Sequence, residues 1–104
     1  NYISPRLLLE YLKYAYYHRD IFLPLYESLP IAGVDGTLQN RMKQTKAYGK
    51  VRAKTGSVTG VSSLAGYVKA GNGHHLAFVI INQNVLKLSR ARAFQDKVCH
   101  ILSH

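Results

Sequence analysis

Apolar positions recur at helical spacing near the start of the chain. Leu8, Tyr11, Leu12 and Ala15 fall on one stripe, and Glu10 is the only acid among them. Ser4-Pro5 ahead of the stripe is a start signal, because a serine side chain caps free amides and proline fits the first helical turn. Tyr11, Tyr14, Tyr16 and Tyr17 are dense enough to predict packing against a neighbouring element. Arg19 to Leu29 predicts a second short helix, broken at Pro24. Gly33-Val34-Asp35-Gly36 predicts a turn that Asp35 forms through its short side chain. Thr37 is expected to cap a third short helix through Met42, and Tyr48 and Gly49 end that segment.

The pattern then changes period. Val51 to Ser57 has strand character, and Gly56 inside it points to a close backbone approach. Val61 to Lys69 is a second strand, and Ala70-Gly71-Asn72-Gly73 is a turn signal. Leu76 to Ile81 is an unbroken apolar run, the mark of a strand buried on both faces and hence central in a sheet. Leu88, Ala91, Phe94, Val98 and Ile101 predict a C-terminal amphipathic helix with Lys87, Arg90 and Lys97 toward solvent. The fold class is α+β: an antiparallel sheet with flanking helices, about three strands, N-terminal helices and a long C-terminal helix. A doubly buried strand wants more cover than these helices supply, so missing strands or a missing layer are expected.

Composition narrows the class. The chain has 104 residues, 47% hydrophobic and 18% charged, which allows one modest core and argues against disorder. No apolar run approaches the ~20 residues of a membrane-spanning helix. A single cysteine, Cys99, excludes an internal disulfide framework and a Cys-based zinc finger. The sequence opens at Asn1 without a basic-then-apolar leader, and the expectation is a chain cut from something longer. Lys and Arg number 14 against 5 acids, a formal +9, which favours anionic partners. The densest basic stretch, Arg41 to Lys54, holds no acid and is either a solvated face or an anion site.

Chemistry concentrates in Arg52-Ala53-Lys54-Thr55-Gly56-Ser57. Lys54 beside Thr55 offers a point charge plus a directional donor, a compact anion site. In an ideal strand these side chains alternate between faces, and a twist or bulge at a sheet edge is expected to bring them into one cleft. Gly56 leaves room for an extended ligand to pair with the strand edge, and the amide after it is available to an oxyanion. Against this stands an ordinary strand with an exposed basic residue. His100 and His104 share a helix face, but no third ligand is near, so no metal and no cofactor are expected. His74-His75 flank the turn, and Cys99 reads as a small buried thiol.

Three segments carry a family resemblance. Leu29-Pro30-Ile31-Ala32-Gly33-Val34-Asp35-Gly36-Thr37-Leu38, the Arg52 to Ser57 run, and Gly60-Val61-Ser62-Ser63-Leu64-Ala65-Gly66-Tyr67-Val68 resemble the C-terminal part of the DacB-type D-alanyl-D-alanine carboxypeptidase/endopeptidases. These are class C low-molecular-mass penicillin-binding proteins. Asn1 to Leu9 is similar to the segment that opens the helix after the family's second motif. The resemblance covers nearly the whole chain. It implies a partial β-lactamase/transpeptidase-like fold, with residues 1–104 as the C-terminal portion of a larger domain. It also implies a serine acyl-transferase with the motifs Ser-x-x-Lys, Ser-x-Asn and Lys-Thr-Gly, of which only the third stands here.

Carried over, Lys54 matches the lysine that binds the substrate's terminal carboxylate and supports the proton relay. Thr55 matches the hydroxyl on that carboxylate, Gly56 the glycine that admits the peptide, and Ser57 the amide giving half the oxyanion hole. No serine here is followed three residues later by lysine, so the nucleophile is expected on preceding sequence and the chain alone is expected to be inactive. The implied partners are peptidoglycan D-Ala-D-Ala peptides, β-lactams and the N-terminal part of the same protein, in the periplasm. Two other readings compete. One is a small basic nucleic-acid-binding module, resting on the +9 charge, though no helix-turn-helix signal supports it. The other is a scaffold whose exposed strand edges pair with a second copy.

Overall fold

A computed structural model describes residues 4–104. Three antiparallel strands, β1 (Val51–Val58), β2 (Val61–Lys69) and β3 (His75–Asn82), form a sheet in the order β1-β2-β3. Helices α1 (Pro5–Tyr16) and α2 (Arg19–Ser28) precede the sheet, a single 3-10 turn spans Gly36–Leu38, and α3 (Leu88–Leu102) follows. Apart from the third short helix, the element types and their order are those of the sequence reading. Of the Asn1 to Leu9 segment, Asn1 to Ile3 lie outside the described residues.

Alternation along the strands sorts side chains onto two faces. Val51, Ala53, Leu64, Val68 and Phe78 point to one face, where Ala32, Leu38, Met42, Ala47 and Cys99 cover them. α3 and the 31–47 loop supply that cover. Tyr67, Ala65, Ala77 and Val79 point to the other face, against Leu12, Phe22 and Leu29 from α1, α2 and the turn after them. Tyr67 is fully buried, and its hydroxyl donates to the Leu12 carbonyl at 2.6 Å. Desolvation pushes that phenol up to about 12.

Ser4 caps α1 as the sequence predicts, its hydroxyl accepting from the Leu7 amide at 3.0 Å. Five expectations are corrected. Pro24 lies inside a continuous α2 rather than breaking it: proline removes one donor in the middle of the helix, and Asp20, four residues earlier, is exposed to water. Thr37 sits within the 3-10 turn, whose N-cap is Asp35, so no helix runs from Thr37 to Met42. Of the clustered tyrosines only Tyr16 packs against the core; Tyr11, Tyr14 and Tyr17 are exposed, and Tyr14 stacks on His18 at 3.9 Å.

The other two corrections concern β3 and α3. The apolar run Leu76 to Ile81 does touch both layers, but β3 is an edge strand among the described residues, and β2 is the central one. On α3 the buried residues are Ala91, Gln95 and Cys99, while Phe94 and Ile101 are exposed. The packed stripe is made of small and polar side chains because the helix lies close on the sheet. Gln95 is fully buried and reaches Ser62 Oγ at 3.1 Å and Asn82 Oδ1 at 3.0 Å.

Candidate active site on the outer edge of strand β1

β1 pairs with β2 without interruption from Val51↔Val68 to Val58↔Val61. No bulge is present, which removes one of the two devices, a twist or a bulge, expected near Lys54. The regular ladder assigns each residue's polar backbone. The Ala53 amide donates outward to the Pro30 carbonyl at 3.0 Å, and the Val51 carbonyl accepts from the Ala32 amide at 2.9 Å. Residues 51 and 53 therefore turn their N–H and C=O away from β2. With period two, Thr55 and Ser57 do the same. The 30–32 segment bridges the first half of this edge through Ile31↔Arg52. Beyond Ala53 no strand or bridge partner occurs among the described residues.

The candidate residues gather at this open half. Lys54 is exposed, and its Nζ folds back over the edge to donate to the Thr55 carbonyl at 3.1 Å. Lysine and threonine leave opposite faces of a regular strand, yet the long lysine stem returns the ammonium to the edge. The Thr55 hydroxyl donates to Thr37 Oγ1 at 3.2 Å. Ser57 is exposed, with its amide directed outward by the same alternation. At Gly56 a Cβ would lie 2.5 Å from Ser63 Oγ on β2, so any side chain here must displace that serine. The close approach expected at Gly56 thus includes one from inside the protein. Cavities of about 430 and 250 Å³ lie elsewhere, whereas Ser57 lines one of about 360 Å³ with Val58, Gly60, Val85 and Leu86, which neither Lys54 nor Thr55 enters.

Much of the basic stretch is committed internally. Arg41 Nη2 meets Asp96 Oδ1 at 2.6 Å and Gln95 Oε1 at 3.1 Å, and its Nε reaches the same carboxylate at 3.0 Å. The Arg52 guanidinium lies over the Tyr26 ring, 4.4 Å from its centroid. These contacts remove two arginines from the face that a nucleic-acid module would need. Lys54 stays free to meet an anion at the β1 edge.

The remaining candidates fall away from β1. The His100 Nδ1 accepts from the Lys46 amide at 2.9 Å, and the Lys46 ammonium lies 3.2 Å from His104 Nδ1. Lys46 chiefly, with desolvation next, holds His104 below its ordinary value. No cluster of three metal-ligating side chains occurs among the described residues. Cys99 is fully buried, and desolvation pushes its thiol up to about 12, so it carries no thiolate at neutral pH. His75 sits among Tyr16, Phe22 and Tyr26, with ring centroids 5.6 to 6.3 Å away. His74 is exposed, and its amide donates to Asn72 Oδ1 at 3.0 Å within the turn. Asp35 forms its turn as expected, Oδ1 accepting from the Ile31 amide at 2.7 Å. Sequence reasoning missed Thr37 as a neighbour of the site, because it meets Thr55 only through the fold.

Comparison with known proteins gives the family. A D-alanyl-D-alanine carboxypeptidase from Actinomadura sp. (strain R39) is 55% identical over 60 residues, 53% of this chain and 11% of that protein. The D-alanyl-D-alanine carboxypeptidase DacB of Haemophilus influenzae is 41% identical over 81 residues, 76% of this chain and 17% of its own length. The crystal structure of penicillin binding protein 4 (dacB) from Haemophilus influenzae, complexed with a β-lactam, superposes with a TM-score of 0.78 at 34% identity. That match takes in 98% of this chain and 26% of the solved one. The chain thus spans about a tenth to a sixth of the length of these curated relatives. The family model described as D-Ala-D-Ala carboxypeptidase 3 (S13) matches residues 1–104, and with the shared α+β fold this means that the chain belongs to that family.

Proposed function

We propose that residues 1–104 are the C-terminal portion of a penicillin-binding transpeptidase-like domain and supply the Lys-Thr-Gly wall of its active site. The observation that supports this most directly is the open half of the β1 edge, where Lys54, Thr55 and Ser57 converge beside a glycine. The parent is a serine-type D-Ala-D-Ala carboxypeptidase/endopeptidase of the bacterial periplasm acting on peptidoglycan peptides. A peptide ending in D-Ala-D-Ala lies antiparallel along the edge and uses the outward N–H and C=O groups of Thr55 and Ser57. Its terminal carboxylate meets the Lys54 ammonium and the Thr55 hydroxyl, a charge-assisted pair of contacts. Moving Lys54 Nζ from the Thr55 carbonyl to that carboxylate replaces a neutral acceptor by an anion.

The scissile carbonyl then rests against the Ser57 amide, which stabilises the oxyanion as the nucleophile adds. The attacking serine, and the second amide of the oxyanion hole, come from sequence outside this chain, so the chain alone is inactive. Attack on the peptide expels D-alanine and leaves an acyl-serine; attack on a β-lactam opens the ring and leaves a penicilloyl-type ester. The test is Lys54→Ala in the full-length protein, followed by labelling with fluorescent penicillin. Labelling falls by at least about tenfold, the scale of losing one charge-assisted contact. Undiminished labelling sinks the assignment of Lys54.

A further inference from the structure

We infer that Thr37 is a positioning residue for the terminal carboxylate of the substrate, acting through the Thr55 hydroxyl. The inference deepens the reading of Thr55 given above and rests on it. It starts from one contact, the 3.2 Å hydrogen bond between Thr55 Oγ1 and Thr37 Oγ1, two residues eighteen apart in sequence. A threonine hydroxyl has one proton and two lone pairs. In the free edge either hydroxyl can donate to the other across this distance. Once a carboxylate takes the Thr55 proton, the contact persists only with Thr37 donating to Thr55. The pair then forms a two-step chain, Thr37 to Thr55 to carboxylate, in which each bond polarises the next. Thr37 also holds the Thr55 side chain in one orientation before the ligand arrives, so less ordering is left to binding.

The surroundings of Thr37 suit a fixed donor. Its 3-10 turn is closed by the Leu38 amide on the Asp35 carbonyl and by the Gly33 amide on the Leu38 carbonyl, at 3.2 and 2.8 Å. Leu38, its neighbour, is fully buried in the core. Gly36 before it has φ +55 and leaves only 3.0 Å between a built Cβ and Pro30 Cγ, a place that only glycine fills without strain. Three residues past Leu38, Arg41 ties the same loop to α3 through Asp96 and Gln95. The loop's other end pairs with β1 at Ile31↔Arg52. Thr37 is itself exposed, so its hydroxyl is presented at the edge from a backbone held on both sides.

The test uses the full-length protein and two peptides, one ending in a free D-Ala-D-Ala carboxylate and the same peptide as its C-terminal amide. Thr37→Val keeps the branched shape and deletes the hydroxyl; Thr37→Ser keeps the hydroxyl; Thr55→Val controls for the underlying reading. For the free acid, Thr37→Val lowers kcat/KM about three- to tenfold, the worth of one hydrogen bond, with the change in KM and not in kcat. Thr37→Ser keeps wild-type values, and the amide peptide, whose carbonyl still accepts but carries no charge, loses less than the free acid in Thr37→Val and Thr55→Val. Wild-type kinetics in Thr37→Val beside a defective Thr55→Val overturn the role of Thr37 alone. Wild-type kinetics in Thr55→Val overturn the reading of Thr55 and the inference with it. A Thr37→Ser variant as impaired as Thr37→Val, or equal losses on the amide peptide, reduce Thr37 to a packing residue and also overturn the inference.

Discussion

Single side chains in this chain are set by what surrounds them more than by their type, and His75 shows it. The ring starts β3 opposite Lys69 and packs among Tyr16, Phe22 and Tyr26. Desolvation first, then Lys69 and Arg19, lower it below its ordinary 6.5. Below that value the unfolded chain takes up a proton that the folded one resists, so acid favours unfolding. Stability is complete above pH 6.5 and falls as pH drops through 6.5 towards the lower folded value. His104 is lowered as well and acts in the same direction. His75→Phe therefore flattens, without abolishing, the loss of thermal stability between neutral and mildly acidic buffer. Melting curves over a pH series check this; an unchanged pH slope in His75→Phe removes His75 as a cause.

At the scale of elements, β1 and β2 were legible because turn signals bound them and their side chains alternate. The Lys54 to Ser57 run could be placed on a strand, and the family resemblance gave it roles. β3 was legible as a strand but not as an edge. Contacts on two faces produce the same apolar run whether or not a neighbour pairs along the side, because edge position is a matter of backbone hydrogen bonds. Thr37 beside Thr55 was illegible, since no local pattern links positions joined only by the 31–47 loop. α3 was placed correctly and faced in part: Ala91 and Cys99 are buried and Lys87, Arg90 and Lys97 exposed as expected, but Phe94 and Ile101 are not packed and Gln95 is. Counting apolar residues picked Phe94 and Ile101, whereas close packing on the sheet selects Ala91, Gln95 and Cys99. The two stripes make opposite demands on stability. Gln95→Ala leaves Ser62 and Asn82 short of a donor and Arg41 short of an acceptor, and costs about 2 kcal/mol. Phe94→Ser, on a half-exposed ring, shifts stability by less than about 0.5 kcal/mol. Urea unfolding of both variants decides, and a larger cost for Phe94→Ser would restore the apolar stripe as the packed face.

For the molecule as a whole, the two sheet edges behave differently because the chain covers them differently. The first half of the β1 edge is closed by residues 30–32, and the open half is the proposed substrate edge. On β3 the ladder to β2 assigns the outward amides. Residues 63, 65 and 67 of β2 face β1, so 62, 64, 66 and 68 face β3 and pair with Asn82, Ile80, Phe78 and Leu76. Ala77, Val79 and Ile81 are left with N–H and C=O groups pointing away from the sheet. An apolar strand with such an edge recruits another strand. In the proposed parent that strand comes from outside residues 1–104, and the chain matches 11 to 17% of the length of two relatives. Alone, the 104-residue chain has only itself to offer. Sedimentation velocity on the chain at rising concentration is therefore expected to show reversible association through β3. Val79→Pro removes one outward amide, keeps the bonds to β2, and shifts the chain back to monomer. A wild-type chain that stays monomeric at about 100 μM, a concentration at which even weak interfaces assemble, shows the β3 edge to be self-protected. In that case the apolar run needs no further strand.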